Sequence, residues 1–457
     1  MSFLIFDLAF LVLFTLLVVL FLYSRRKNLQ RQGLLYLYRT KVGIKLINWF
    51  SKAFSPILKP LQYIVVASGY TLMGFMIWFL VKFSYFYLSS PIAARALKVP
   101  VLVPLIPYLP TLFKIDFLPP FYFTYWIIII AIIAIPHEFA HGIFARLSKV
   151  KIHATGFGFL GPFLAAFVEP DEKEMEKKSK LSQLSVLAAG TFANILVAIF
   201  FALILWLFFI SSFTAAGVNF STYSTSVVNV SEISQISNIT VEDSGFLELE
   251  ANNKNYFTTP LAIQQALDNK LEYVMAYDDS PAFNAKLEGA ISEIDSVKII
   301  SMDDLTSSLQ SHQPGDTVNI KTIIDGETTD YTITLAERED KAFLGIGVAP
   351  VQSTGIMGSI LNFVSTIKDP TIYYESSIGK WGTFIYDLLW WMVLISLSVA
   401  LVNMIPVGIF DGGRFFLLTI WGITGNRKIG EQAFKISTWI ILILVALLMF
   451  KWLFAFI

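Results

Sequence analysis

Two histidines and one glutamate form the pattern in this sequence that points most directly to chemistry. His137, Glu138 and His141 lie in the stretch IPHEFAH. Residues four apart lie on one face of a helix, so both imidazoles could bind the same Zn²⁺ while the neighbouring carboxylate takes a proton from a metal-bound water. The alternative is a chance match. As a simple string, H-E-x-x-H is expected in about one such chain in a thousand.

The setting of the motif favours the metal site. It lies within a long apolar run, where three ionisable side chains on one membrane helix are costly unless a function requires them. The chain contains no cysteine, so disulfides and thiolate ligands are excluded. Any metal ligand must therefore come from His, Asp or Glu.

The composition is that of a polytopic membrane protein. Of the 457 residues, 55% are hydrophobic and only 15% are charged, and the mean hydropathy is +0.64. The zero net charge hides an asymmetry, because residues 213–352 contain 7 Lys or Arg and 21 Asp or Glu. The sequence therefore predicts an acidic soluble domain attached to a basic, membrane-embedded body. We expect the lipid bilayer as a partner and no nucleic acid.

Six apolar stretches are each long enough to cross about 30 Å of hydrocarbon. The first has no basic residue before it and no small-residue cleavage site after it, so we expect a retained span rather than a signal peptide. The stretches are Phe3–Tyr23, Leu61–Tyr87, Phe121–Leu147, Leu181–Ser211, Trp381–Ile405 and Phe434–Phe454.

The charges between the spans predict an orientation. Residues 24–60 hold nine Lys or Arg and no acid, which places them in the cytoplasm and the N-terminus outside. Part of this stretch, Leu34–Phe54, could lie as a basic amphipathic segment on the anionic leaflet. Counting spans puts the acidic domain outside, and three N-x-S/T sequons agree with this placement. They are at Asn219, Asn229 and Asn238.

The acidic segment has the signals of a strand-rich domain. Its apolar runs are short and alternating, and they are separated by turn signals such as Pro314-Gly315. The pair Asp325-Gly326 stands between Val318–Ile323 and Tyr331–Leu335, which predicts a β-hairpin.

Two short glycine-containing segments lie near the ends of spans. Gly156–Leu164 is too short for a span, and we expect a re-entrant strand-like loop, with an ordinary buried loop as the alternative. Asp411 follows a Pro-containing break after the fifth span. It could be a solvated residue at a helix end or a third metal ligand. Because His137 lies at a similar depth, about 15 Å from the cytoplasmic end of its span, we favour the ligand. Asp387 is expected to be an interface carboxylate.

Together these residues resemble the site-2 protease family of intramembrane zinc metalloproteases. Met404 stands where the family has the first proline of its Asn-Pro pair, and Gly408 stands near the second. The acidic domain resembles a PDZ module with residues Asp243–Asn269 as an insertion. The matching motifs are His137-Glu138-x-x-His141, Gly190-x-x-x-Asn194 and Asn403-x-x-Pro406 followed by Asp411-Gly412.

The resemblance implies a polytopic α-helical membrane protein of a bacterial or archaeal cell membrane. It would have about six transmembrane helices, a re-entrant strand-like loop and an inserted β-rich PDZ-like domain. Residues 1–60 would be the first helix and the basic cytoplasmic segment, and 61–212 the first part of the catalytic membrane core. Residues 213–352 would be the extracytoplasmic PDZ-like domain, and 353–457 the second part of the core.

The implied activity is hydrolysis of peptide bonds within the transmembrane helices of single-span membrane proteins, such as membrane-tethered regulators. Glu138 would activate a zinc-bound water and then protonate the leaving amine. Gly156 and Gly158 lie in the loop that would receive the unwound substrate as an extended strand. The zinc ligands would be His137, His141 and Asp411, and the hydrogen-bonding residues for that strand or the oxyanion would be Asn194 and Asn403.

Three other functions fit parts of the sequence. A metal or ion transporter would use the intramembrane His and carboxylates as a pathway, but the spans show no internal repeat. An inactive scaffold would act through the external domain, although all the expected catalytic residues are present. A membrane metalloprotease for prenylated peptides would leave the acidic domain and the Asp411 segment unexplained.

Overall fold

The computed structural model describes residues 3–33, 35–89, 105–113, 115, 118–161, 163–237, 245–268, 271–324, 326–347 and 368–454. Within these ranges the helices, in chain order, are α1 (Phe3–Ser24), α2 (Ile44–Ala53), α3 (Ser55–Ser89), α4 (Leu109–Leu112), α5 (Phe123–Leu147), α6 (Glu172–Glu176), α7 (Lys180–Ser212), α8 (Pro260–Asp268), α9 (Pro281–Asn284), α10 (Met302–Gln310), α11 (Lys380–Val402), α12 (Asp411–Thr424) and α13 (Arg427–Phe454).

The strands of the same ranges are mostly short. In chain order they are β1 (Leu29–Gln32), β2 (Leu35–Thr40), β3 (Ile152–Leu160), β4 (Phe163–Pro170), β5 (Phe213–Val218), β6 (Thr222–Tyr223), β7 (Thr225–Asn229), β8 (Ile233–Ser237), β9 (Leu247–Ala251), β10 (Lys254–Thr258), β11 (Tyr273–Asp278), β12 (Ala290–Ile294), β13 (Val297–Lys298), β14 (Thr317–Ile324), β15 (Glu327–Thr334), β16 (Ala336–Arg338), β17 (Lys341–Phe343), β18 (Ile346–Gly347) and β19 (Ile372–Ser376).

Among the described residues, six helices are long and apolar enough to cross a membrane. They are α1, α3, α5, α7, α11 and α13, and each contains most of one predicted span, so the prediction of a polytopic helical protein is confirmed. The largest differences are at α3 and α13, which begin at Ser55 and Arg427, well before the predicted starts. Hydropathy marks only the part of a helix that lies in hydrocarbon, whereas the helix itself continues into the polar interface.

Residues Met1–Leu207 and Phe384–Ile457 form one compact unit. Its main core is built from small and large apolar residues on α3, α5, α7 and α12. A Cβ added to Gly69 of α3 would lie 3.0 Å from the Cβ of Ala188 and 3.1 Å from the ring of Phe415. Small residues at this contact therefore let α3 approach α7 and α12 closely, as is common between membrane helices.

An antiparallel sheet with the strand order β1-β2-β3-β4 belongs to this unit. It joins the basic segment after α1 to the segment after α5. The predicted strand-like loop comprises the second half of β3, the turn of the β3–β4 hairpin and the start of β4, with Leu160 paired to Phe163. The segment is extended, as predicted, but it is part of a sheet rather than an isolated loop. Pro162 lies outside the described residues.

The N-terminus of α5 is held by a carboxylate from α1. Asp7 is the only acid in α1, and its side chain is buried. Its Oδ2 accepts hydrogen bonds from the Phe123 N–H (2.8 Å) and the Tyr108 hydroxyl (2.6 Å), and its Oδ1 accepts one from the Thr124 N–H (2.9 Å). These donors include unpaired N–H groups of the first turn of α5, where a negative charge is also favourable. Asp7 therefore fixes α1 to the helix that carries the H-E-x-x-H motif.

The charged run after β4 contains the short helix α6. Asp171 caps the short helix α6 by accepting a hydrogen bond from the Glu174 N–H (2.9 Å). This bond, and to a lesser extent the imidazole of His153 at 3.0 Å, holds the pKa of the Asp171 carboxyl below its ordinary value. The sequence of α6, EKEME, has no apolar face that would predict a helix.

Residues Phe208–Thr383 form a second compact unit that is rich in strands. One sheet has the order β15-β14-β12-β5-β19, with β13 beside β12. The β14–β15 pair is the predicted hairpin, in register from Thr317 opposite Thr334 to Ile324 opposite Glu327. An inserted β-rich domain is therefore confirmed. Its likeness to a PDZ module stays a prediction, and Asp325 lies outside the described residues.

The suspected insertion contributes to a second sheet with its own core. Strands β9 and β10 lie in the order β7-β11-β10-β9-β8, and α8 covers one face. Leu249, Ala251, Ile263 and Ala266 are buried together there. The segment thus adds a separate layer rather than lengthening a loop. Asn219 and Asn229 lie in this unit, whereas Asn238 lies outside the described residues.

Candidate metal centre

The H-E-x-x-H motif lies in the second half of α5. The helix continues through Pro136 without a break, and His137 is buried with 8% of its surface exposed. The two histidines face α7 and α12. Glu138, one residue further along the helix, faces β4. The motif is therefore surrounded by elements distant in sequence, and each of them contributes to the site.

Three potential ligand atoms converge at one point. His137 Nε2 and His141 Nε2 are 3.1 Å apart, and Asp411 Oδ2 lies 3.5 Å from the first and 3.3 Å from the second. In a tetrahedral zinc site with bonds of about 2.0–2.1 Å, ligand atoms lie about 3.3–3.4 Å from one another. The observed triangle matches this size. Two imidazoles and one carboxylate also form the donor set of a zinc site with a fourth position open.

Asp411 is placed by a tight turn at the start of α12. The Gly412 N–H donates to the Asn403 carbonyl (2.8 Å), and a Cβ added to Gly412 would lie 2.6 Å from the Ile405 carbonyl oxygen. Only glycine permits this approach of the turn to the first residues of α12. Met404, which stands where the family has a proline, is fully buried in the core. The departure from the family pattern therefore does not remove Asp411 from the ligand position.

Each imidazole is oriented through its other nitrogen. His141 Nδ1 lies 2.7 Å from the Val186 carbonyl of α7, which can only accept, so Nδ1 carries the proton and Nε2 is free to bind a metal. His137 Nδ1 lies 3.0 Å from the side-chain amide of Asn194, also on α7. Both rings thus present Nε2 to the same point.

Asn194 provides a separate indication that the site suits a metal. It is fully buried, and with Nδ2 facing His137 its Oδ1 has no hydrogen-bond partner among the described residues. Rotation of the amide by 180° would turn Oδ1 toward the ring, where it can accept the Nδ1 proton of a metal-binding imidazole. The metal-ligating tautomer of His137 therefore satisfies a buried oxygen that is otherwise unpaired.

Gly190 leaves the space in which an ion would lie. It is on α7, one turn before Asn194, and a Cβ added there would lie 2.6 Å from His137 Nε2 and in contact with His141 Nε2. Any side chain would therefore enter the space between the ligand atoms. This space exists only because Gly190 has no Cβ.

Glu138 is fixed beside the ligands by the sheet. Its Oε2 accepts a hydrogen bond from the Val168 N–H of β4 (2.9 Å). A carboxylate oxygen of Glu138 and the ring nitrogens of both histidines all lie within 4.8 Å of one another. One oxygen is thus held by the backbone of β4, and the carboxylate is near enough to the ligand atoms to reach a water bound there.

Comparison with known proteins decides the family. A family model described as Peptidase family M50 matches residues 125–449, which include all of α7, α11 and α12 and all but the first two residues of α5. The chain belongs to this family. M50 contains the site-2 proteases, which are membrane zinc metalloproteases, so the resemblance seen in the motifs is confirmed. Zinc is therefore the metal of this family, as predicted. That His137, His141 and Asp411 are its ligands stays a prediction.

A curated relative agrees with this assignment. A Chlamydia pneumoniae protein named "Putative zinc metalloprotease" is 34% identical over 80 residues. The match covers 17% of the M50 chain and only 13% of that relative. It therefore supports the family and says little about the rest of either protein.

The remaining predicted site residues are the four that were expected to bind substrate. Gly156 and Gly158 lie in β3, which is paired by β2 on one side and β4 on the other, so their backbone is not free to receive a strand. Asn194 is fully buried and contacts the Nδ1 side of His137, so its side chain does not face open space. Asn403 contributes its carbonyl to the turn before Asp411, and a contact of its side chain with substrate stays a prediction.

Sequence motifs could not identify several residues of the site. Val168 and Val186 act through backbone groups, which leave no trace in residue type. Asp7 did leave a signal, because a lone carboxylate in an otherwise apolar span requires a buried partner.

Proposed function

We propose that this M50 protein hydrolyses peptide bonds within the membrane-spanning helices of single-span membrane proteins. The observation that supports the proposal is the convergence of His137, His141 and Asp411 on one point beside Glu138, with both histidines on a helix that can cross a membrane. Members of the family act on membrane proteins in the bilayer. The relevant bond would be reached about 15 Å from the sheet end of α5.

Different residues of the chain have different roles in hydrolysis. Zinc, when bound, would supply a Lewis acid that lowers the pKa of water toward 7. Glu138 takes the proton from the attacking water and delivers it to the leaving amine. The Val168 N–H holds the Glu138 carboxylate in one orientation through both transfers, while Asn194 and the Val186 carbonyl keep the two imidazoles in the required tautomer.

We propose that the substrate binds along the outer edge of β4, which no other described strand pairs with. Alternate residues of an edge strand direct their N–H and C=O groups away from the sheet. The Val168 N–H points away from β3 to Glu138, so the groups of Ala166 and Leu164 point to the same side. A substrate segment that unwinds could pair with this edge, as peptides do when they add a strand to a sheet. Its backbone would then run directly to Glu138.

The edge-strand proposal predicts a selective effect of Ala166→Pro. Proline removes the outward N–H but no hydrogen bond of the β3–β4 pair, and edge strands tolerate it at such positions. We expect the KM for a single-span substrate to rise by about tenfold, the loss of one backbone hydrogen bond, while the zinc content is unchanged. Ala166→Val, which keeps the N–H, is the control. Equal kinetics of the two variants would exclude pairing at this residue.

We also propose an orientation, with the N-terminus and the strand-rich unit outside and the β1–β4 sheet at the cytoplasmic face. The nine basic residues in 24–60 support this orientation through the positive-inside rule. The sequons at Asn219 and Asn229 lie on the opposite side in this arrangement. The metal centre would then be nearer the cytoplasm.

Metal analysis together with a cleavage assay tests the function. We expect purified protein to contain about one zinc per chain and to cleave a single-span substrate in proteoliposomes until a chelator is added. His137→Ala should lose both zinc and cleavage. His153→Ala is the matched control, because this exposed imidazole pairs with Asp171 away from the site. Zinc-loaded protein that transports ions and cleaves no membrane substrate would instead establish the transporter.

A further inference from the structure

The basic segment between α1 and α3 is exposed and almost free of acidic partners. All nine of its Lys and Arg residues are exposed, and in the described part of the chain only Arg39 forms an ion pair, with Glu169 at 2.9 Å. The segment contains no acid of its own. Among the described residues, the other eight positive charges therefore have no acidic side chain paired with them. They are Arg25, Arg26, Lys27, Arg31, Lys41, Lys45, Lys52 and Lys59.

Helix α2 combines this charge with an exposed apolar face. Its inner face is buried, with Ile47 against α5, where a Cβ on Gly142 would lie 2.9 Å from the Ile47 Cδ1. Its outer face exposes Leu46 (54%) and Trp49 (59%). Lys45 and Lys52 lie beside them and are exposed as well. A helix with apolar residues, a Trp and lysines on its outer side is typical of helices that lie in a membrane interface.

The position of α2 along the membrane normal agrees with that interpretation. α2 ends at Ala53, and the spanning helix α3 begins at Ser55, so α2 lies where a span enters the bilayer. Its contact residue Gly142 is about 8 Å from the last residue of α5, which is also an end of a span. The outer face of α2 is therefore at the depth of lipid headgroups, and Lys41 lies in the turn between β2 and α2.

We propose that the outer face of α2, together with Lys41, Lys45 and Lys52, is a binding surface for anionic lipid headgroups. Trp49 and Leu46 insert among the acyl chains at the headgroup boundary, and the lysine ammonium groups bind the lipid phosphates. Charge complementarity favours anionic over zwitterionic lipid, because each lysine near an anionic leaflet gains electrostatic energy. The opposite, inner face of α2 packs against α5 one residue beyond His141, so the lipid would contact a helix that supports the metal-binding helix.

The absence of cysteine makes a direct measurement possible. Ala53→Cys places a single thiol on the exposed side of α2, where a fluorophore can be attached to the full-length protein. The labelled protein is reconstituted in phosphatidylcholine vesicles with about 20 mol% phosphatidylglycerol, an anionic surface. A small fraction of either the anionic or the zwitterionic lipid carries a nitroxide quencher. The ratio of the two quenching efficiencies measures the local enrichment of anionic lipid.

We expect the anionic quencher to be at least about twofold more effective than the zwitterionic one, and the ratio to fall to about one at 1 M salt, where the Debye length is about 3 Å. Lys41→Gln, Lys45→Gln and Lys52→Gln together should also reduce it to one. The same number of changes in the strand-rich unit, Lys254→Gln, Lys286→Gln and Lys341→Gln, should leave it unchanged.

Two results would overturn the proposal. Equal quenching by both lipids in the protein with all its lysines would show that α2 contacts the bilayer without selecting charge. Weak quenching by either lipid would show that a protein, such as a second copy of this chain, or water covers the surface. A label at Thr328→Cys on β15 provides the reference for a site away from lipid. The salt titration needs no lysine variant, and neither readout depends on proteolytic activity.

Discussion

Glu138→Gln is expected to abolish cleavage while zinc remains bound. The amide keeps an oxygen that can accept the Val168 N–H, so the side chain should stay in place, but it cannot take a proton from water. General acid–base catalysis contributes about 10²–10⁴-fold, and the residue serves both proton transfers, so we expect a loss at the upper end of that range. The measurement is the initial rate of cleavage of a single-span substrate in proteoliposomes, with zinc determined on the same sample.

The comparison with His141→Ala separates the two roles in the motif. That variant removes a ligand, so cleavage and zinc content should fall together, whereas Glu138→Gln should separate them. A Glu138→Gln protein that cleaves at the unmodified rate would refute the proposed proton transfers. A Glu138→Gln protein without zinc would show that the carboxylate is a ligand rather than a base.

Gly190→Ala should weaken zinc binding, although alanine usually stabilises a helix relative to glycine. Replacing a helical glycine by alanine normally stabilises a helix by about 1 kcal/mol. Here the new Cβ would lie 2.6 Å from His137 Nε2, within the space between the ligand atoms. The imidazoles must move, and we expect zinc affinity to fall by at least about 100-fold, the upper range seen when ligands are misoriented. Competition with a chromogenic chelator measures the change.

Gly74→Ala is the matched control for this experiment. Gly74 lies in α3, and a Cβ added there meets no atom within 4 Å. The control should therefore bind zinc normally and be at least as stable as the unchanged protein. If Gly190→Ala also kept about one tightly bound zinc per chain, the ligand triangle described above would be wrong.

The spans and the two histidines were predictable because their signals are local. A membrane helix must satisfy its backbone within itself and present about twenty apolar residues, so α1, α5 and α7 are evident from residue type alone. His137 and His141 are four apart on one helix, so their common face follows from helical geometry. Asp411 could be predicted as a ligand only by combining the helix break after the fifth span with the expected depth of His137. Its pairing with those histidines required the turn that Gly412 permits.

The remaining parts of the site depend on contacts between distant segments, which residue types do not record. The sequence indicated an extended segment at Gly156–Leu164, but which strand of a sheet has a free edge depends on pairing with β2, more than a hundred residues earlier. The orientation of Glu138 depends on a backbone N–H of β4 and that of His141 on a backbone carbonyl of α7.

The sequence by itself thus determined that this protein is a membrane metalloprotease relative with a zinc-binding helix, because apolar length and ligand spacing are properties of single segments. Only the tertiary structure decided how that helix becomes a site. Asn194 changed from a predicted substrate contact to a residue that orients His137, and Gly190 became the residue that leaves room for the ion. Both lie on α7, and their roles arise because close packing brings α7 within hydrogen-bonding distance of α5.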